Sequence, residues 1–154
     1  MSSTRRFIVA LCAVALSLTG RAASAQPVTI LTVSGSPTPF VVSAAIAGNQ
    51  PATLSSTLSY FVRAKNPAGS QKITAQLDNP MPAGTTLTLS MVAPPSAISL
   101  GAVSLDITPR NILVSVDKEN GNTYGMTYVF SATVAAGVVP SQTRTVTLTM
   151  SNYP

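Results

Sequence analysis

The run Arg144-Thr-Val-Thr-Leu-Thr-Met-Ser151 alternates without a break. Val146, Leu148 and Met150 fall on one side and Thr145, Thr147 and Thr149 on the other. A side-chain period of two with one apolar face belongs to a half-buried β-strand; helical geometry would scatter the same residues around the axis. The pattern recurs along the chain. Leu54 to Ala64 sets Leu54, Ser56, Leu58, Tyr60 and Val62 against Ser55, Thr57, Ser59, Phe61 and Arg63. Leu87, Leu89 and Met91 share a face within Thr86–Val92, and Lys72–Leu77, Asn111–Asp117 and Tyr124–Val134 read as further strands. Gln26–Ser34, Phe40–Ile46 and Leu100–Thr108 complete the set. Between them lie Gly35-Ser36-Pro37, Gly48-Asn49-Gln50-Pro51, Asn66-Pro67-Ala68-Gly69, Asn79-Pro80-Met81-Pro82-Ala83-Gly84 and Pro94-Pro95. Proline presets φ and glycine tolerates positive φ, so these are turns by chemistry as well as by polarity. Seven to nine short strands at this spacing predict an all-β sandwich or barrel. Asn120-Gly121, flanked by alternating runs, predicts a tight hairpin, and the chain is expected to end in a β-meander.

The first 25 residues read as a leader rather than as part of the fold. Arg5 and Arg6 make a positive start, Phe7–Leu18 is a short apolar core, and Ala23-Ser24-Ala25 is a small-x-small cleavage signal ahead of Gln26. The apolar run falls short of the ~20 residues a spanning helix wants, so an uncleaved anchor is the weaker reading. The arginine pair is followed directly by Phe7, which favours the general export route over a twin-arginine one. Signal peptidase and the export machinery are thus the first expected partners, and residues 26–154 form one expected domain. A bulky Leu11 precedes Cys12, which argues against lipidation there.

Cleavage changes the charge balance. The whole chain carries a net +5, but Arg5, Arg6 and Arg21 leave with the leader. Arg63, Lys65, Lys72, Arg110, Lys118 and Arg144 then face Asp78, Asp106, Asp117 and Glu119. A balance this close to neutral is no nucleic-acid footprint. The sole cysteine, Cys12, is also lost, so the mature domain has no disulfide even though export would permit one. Its stability must come from sheet pairing and core packing, for which about 130 residues suffice. Stable membrane insertion of the mature domain is not expected: the strands are short and their polar faces rich in Ser and Thr.

Catalytic chemistry has few residues to draw on. The chain has no histidine, which removes the commonest general base, Ser-His and Cys-His nucleophiles and most zinc or copper sites. Asp78 and Asp106 are separated in sequence and read as turn caps or solvated strand positions. Asp117-x-Glu119-Asn120-Gly121-Asn122 is oxygen-rich but too short for an EF-type calcium loop, and a hairpin turn accounts for it. Tyr124, Met126, Tyr128 and Phe130 share one face and read as core. The expectation is no enzyme activity, no cofactor and no metal.

Two terminal segments carry a family resemblance. Thr145-Val-Thr-Leu-Thr-Met-Ser-Asn-Tyr153-Pro154 is an alternating strand with a penultimate tyrosine, and Pro27-Val-Thr-Ile-Leu-Thr-Val33 is an alternating segment at the mature N-terminus. Both resemble exported fimbrial subunits of the chaperone–usher kind and small spore-coat-U-like secreted domains. The usual disulfide of that family has no counterpart here, and the family's glycine near the final strand would fall at about Ser141, whereas this chain has Gly137. The resemblance implies an immunoglobulin-like β-sandwich whose N-terminal segment completes a neighbour's sheet. It makes Val28 and Ile30 the inserting residues, with Val146, Leu148, Met150 and Tyr153 on the accepting strand. The expected function is an exported, non-enzymatic structural or interaction module, located in the periplasm, on the cell surface or outside the cell. Its expected partners are other copies of itself or cell-surface subunits. The alternative is a secreted domain binding a glycan or small ligand through the loops at 66–69, 79–84 and 118–122.

Overall fold

A computed structural model of the chain describes residues 28–42, 49–65, 69–137 and 139–154. The expected leader, residues 1–25 with Cys12, Ala23 and Ala25, lies outside the described residues, as does Gln26 after it. Among the described residues there are nine strands: β1 (Val28–Ser34), β2 (Leu54–Lys65), β3 (Gln71–Leu77), β4 (Thr85–Met91), β5 (Ile98–Ser99), β6 (Val103–Ser104), β7 (Arg110–Val116), β8 (Glu119–Ala132) and β9 (Val146–Asn152). A 3₁₀ turn, Val134–Ala136, follows β8. The strands form two antiparallel sheets, ordered β1-β2-β8-β4-β6 and β5-β7-β3-β9. Neither sheet closes on itself, so the molecule is a sandwich and not a barrel.

The alternation read from sequence places the core. Tyr60, Val62 and Ala64 of β2, Leu87, Leu89 and Met91 of β4, and Met126 and Tyr128 of β8 turn inward from one sheet. Ile73, Ala75 and Leu77 of β3 meet them from the other, with Ile112, Leu113 and Val116 of β7. The stripe of Tyr124, Met126, Tyr128 and Phe130 is core-facing throughout. Tyr60 and Tyr124 stand opposite one another in the ladder with ring centroids 5.8 Å apart. Burial pushes the Tyr60 phenol well above the ordinary tyrosine value, with Tyr124 and Glu119 adding to the effect, and its hydroxyl donates to the Val92 carbonyl.

The C-terminal third departs from the expected meander. β7 and β9 both pair with β3, whereas β8 crosses to the other sheet between β2 and β4. Asn120-Gly121 is therefore no hairpin turn. It lies inside β8, where the register with β2 slips between Val62 and Ala64. Two residues of β8 there oppose one of β2, which is a β-bulge, and Gly121 takes φ +107. The same backbone freedom that suits Asn-Gly to a turn suits it to a bulge. A Cβ at Gly121 would also come within 2.9 Å of the Phe61 ring. Leu100–Thr108 is not one continuous strand: within it only Val103–Ser104 is a strand, β6, and the rest connects β5 to β6 and β6 to β7; Leu105 is buried and Ile107 is exposed. Of the expected strand Phe40–Ile46, residues 40–42 are not in a strand and the rest lies outside the described residues.

Candidate assembly seam

The two faces of the sandwich are held together along different edges in different ways. On one side the short strands β5 and β6 finish the two sheets. On the other, β1 ends the five-stranded sheet and β9 ends the four-stranded sheet. These two edges come near each other without forming a ladder. β9 pairs with β3 from Val146 opposite Leu77 to Asn152 opposite Gln71. Among the described residues it has no strand on its other side. An edge strand of this kind presents unpaired N–H and C=O groups to any further strand that approaches.

β9 is firmly placed. Val146, Leu148 and Met150 are half-buried and pack against the core. Its ends are tied by side chains as well as by the ladder. Before the strand, the Thr145 N–H donates to Asp78 Oδ1 at 3.0 Å while the Thr145 carbonyl accepts from the Asp78 N–H. That backbone donor, with the Asn79 N–H, holds the Asp78 carboxyl below the usual aspartate value despite some desolvation. At the far end Gln71, which is buried, donates through Nε2 to Asn152 Oδ1 at 2.7 Å, and the Tyr153 N–H donates to the Ser70 carbonyl. Tyr153 is thus fixed by its backbone just beyond the strand.

β1 is placed differently. It pairs antiparallel with the second half of β2, from Val28 opposite Lys65 to Ser34 opposite Ser59. In this register Thr29, Leu31 and Val33 stand beside the inward-facing Ala64, Val62 and Tyr60. Val28 and Ile30 share a face, as the alternation suggests, but it is the outer one, beside Lys65 and Arg63, where they are 41 % and 37 % exposed. Leu31 is the half-buried residue of the strand and the one that packs on the core. If this strand paired elsewhere with the same side inward, Leu31 and Val33 would be its inserting residues.

The first half of β2, Leu54–Leu58, lies beyond the reach of β1, which turns away at Gly35 (φ +85). The segment that follows returns over the inner face of this uncovered stretch. Phe40 stacks on Phe130, ring centroids 5.9 Å apart and planes 15° from parallel. The Thr38 N–H and Oγ1 both reach Ser56 Oγ, at 3.2 and 3.3 Å. Ser56 is buried on the core side of β2, opposite Tyr128. Nothing in the alternating pattern distinguishes this contact from an ordinary strand. Pro37 and Pro39, neither able to donate to a ladder, were the available signal.

The carboxylates do not converge. Asp106 caps the Thr108 N–H and pairs with Arg110, Asp78 holds Thr145, and Asp117 accepts from Ser70 Oγ at 2.6 Å. Glu119 is buried at the bulge, accepting from Asn122 Nδ2 at 2.6 Å and from the Tyr124 hydroxyl at 3.2 Å. Each acid has a structural partner. Among the described residues no three acids, cysteines or histidines cluster as a metal site would require.

No family model matches the chain, and no curated protein matches it. Among solved structures it is similar to the CupB6 tip adhesin from Pseudomonas aeruginosa, at 15% identity and a TM-score of 0.45 over 80% of this chain. The chain spans 41% of that adhesin's length. It is also similar to a chaperone–usher pilus structure, at 12% identity and a TM-score of 0.40, covering 80% of this chain and 87% of that one. Both are loose likenesses.

Proposed function

We propose that the protein is an exported, non-enzymatic structural module that associates with further copies of itself by adding a strand to the open edge of β9. The observation that carries the reading is the pairing of a fixed acceptor with a lightly held donor across one seam. β9 is anchored from both ends with its apolar side chains already turned inward. β1 is an edge strand that leaves six of its seven residues exposed. Main-chain hydrogen bonds supply the affinity in such β-augmentation, and alternate side chains supply the selectivity. Val146, Leu148 and Met150 form the apolar floor of the acceptor, with Tyr153 at its end. A β1 arriving from a second copy meets that floor with Leu31 and Val33. Export through the leader, with cleavage after Ala25, delivers the module to the periplasm, the cell surface or the exterior.

The test is light scattering after chromatography on protein purified from expression of the full chain, with and without residues 26–35. Ordered multimers that disappear on trimming support strand addition. A folded monomer in both forms, or a chain that simply unfolds on trimming, rejects it. The intact mass of the purified protein checks the leader separately: loss of residues 1–25 is expected.

A further inference from the structure

We infer that residues 36–42 form an internal strap that closes the seam of the resting chain and has to lift before a second copy's strand can settle along the whole of β9. This inference rests on the reading of β9 as an acceptor edge. Its observations are otherwise its own.

The strap lies at the end of the sandwich where β9 begins. β3 ends at Leu77, opposite Val146, and the loop after it leads straight to Thr85, opposite Ala132. Phe130 lies two residues before Ala132, on the inward face between Leu54 and Leu87. Phe40, stacked on Phe130, is therefore seated at the same end of the seam as Val146. β1 does not reach this end, because its pairing with β2 stops at Ser59.

The strap has the chemistry of a removable cover. Among the described residues it is attached by an aromatic stack and a pair of hydrogen bonds to one hydroxyl. Pro37 and Pro39 flank Thr38 and keep this stretch from adding a regular ladder of its own. Val41 and Val42 are 67 % and 41 % exposed, so the segment contributes little more than Phe40 to the core. The cover is nevertheless needed. Without it Phe130 loses its stacked neighbour and the buried Ser56 hydroxyl loses its partners, an unfavourable state that favours reclosure. An incoming strand offers both a replacement: an apolar side chain for Phe130 and polar groups for Ser56. The strap thus competes with the incoming strand for one place, and its loss should hasten assembly.

The experiment uses protein purified from the full chain and a fluorescent peptide of sequence Gln26–Ser34 as the probe, with stopped-flow anisotropy as the readout. Phe40→Ala is expected to take up the peptide roughly tenfold faster than the unaltered protein, the scale on which an aromatic stack and its buried area are weighed. Phe40→Leu, which keeps an apolar cover, is expected to fall between them. Equal uptake by all three overturns the strap and leaves strand addition at β9 intact. No uptake by any of them overturns both. Circular dichroism checks folding. If Phe40→Ala fails to fold, Thr38→Val, which removes the Oγ1 contact while keeping the shape, carries the test. An increase of about threefold supports the strap and no change overturns it.

Discussion

β1 and β9 are alike in length and residue types and quite different as strands. Val-Thr-Ile-Leu-Thr-Val-Ser and Val-Thr-Leu-Thr-Met-Ser-Asn each supply seven residues rich in β-branched and aliphatic side chains. Each ends a sheet, and the two edges come near one another on the same side of the sandwich. β9 turns three apolar side chains against Ile73, Ala75 and Leu77 and is tied down at Thr145, Asn152 and Tyr153. β1 places one half-buried leucine on the core and leaves Val28, Ile30 and Val33 exposed. The lesson is that local alternation makes a strand, whereas attachment is decided by what lies opposite and by the side chains at the strand's ends. Stability is not uniform across a fold, and elements that must move come from its weakly held part.

The contrast can be challenged by mutation. The largest effect is expected at the floor on which β9 rests. Ile73→Ala, at a fully buried site, should cost about 2–5 kcal/mol in a denaturant titration and loosen β9 with it. Next comes the paired comparison of the edges. Leu148→Ala should cost about 1–2 kcal/mol, scaled down from a full burial, and Leu31→Ala less than half as much. Equal costs would mean that the two edges are equally attached. Gly121→Ala tests the bulge that sets the β2–β8 register beneath β1. Positive φ and the close Phe61 ring should together cost about 1–3 kcal/mol, read as a lower urea midpoint.

The smallest effect is electrostatic. Asp78 is held below the ordinary aspartate value of 3.8 by the Thr145 N–H. A lowered folded value means that the unfolded chain binds the proton more tightly, so the contribution is present above about pH 3.8 and fades as the pH falls further. Asp78→Asn should flatten that acid limb of the Tm profile and raise exchange at the start of β9. Asp106 is lowered in the same direction, chiefly by Arg110, so Asp106→Asn serves as the control that changes the acid limb while leaving β9 alone.

Most of the sandwich was legible from alternation and turn chemistry. The strands β2, β3, β4, β7 and β9 lie within a residue or two of the runs read from sequence, and Val146, Leu148 and Met150 share the inward face. Sheet membership was not legible. Asn120-Gly121 satisfies a hairpin and a bulge equally well, because both ask the backbone for a positive φ; only the pairing of β8 with β2 and β4 chooses between them. The facing of β1 was hidden for another reason. Val28 and Ile30 compete with Leu31 and Val33, so both faces are apolar and the pattern names neither. The strap was missed because Phe40-Val-Val resembles the start of a strand, and its true partner, Phe130, is ninety residues away.

The most direct measurement is amide hydrogen exchange on the monomeric protein, comparing the N–H groups of β1 that bond to β2 with those of β9 that bond to β3. The account predicts that β1 exchanges through local opening, at rates well above those of global unfolding, while β9 keeps protection close to that of β3. Protection of β1 equal to that of β2 would contradict it, because a donor strand that opens only when the whole domain unfolds is not available for exchange.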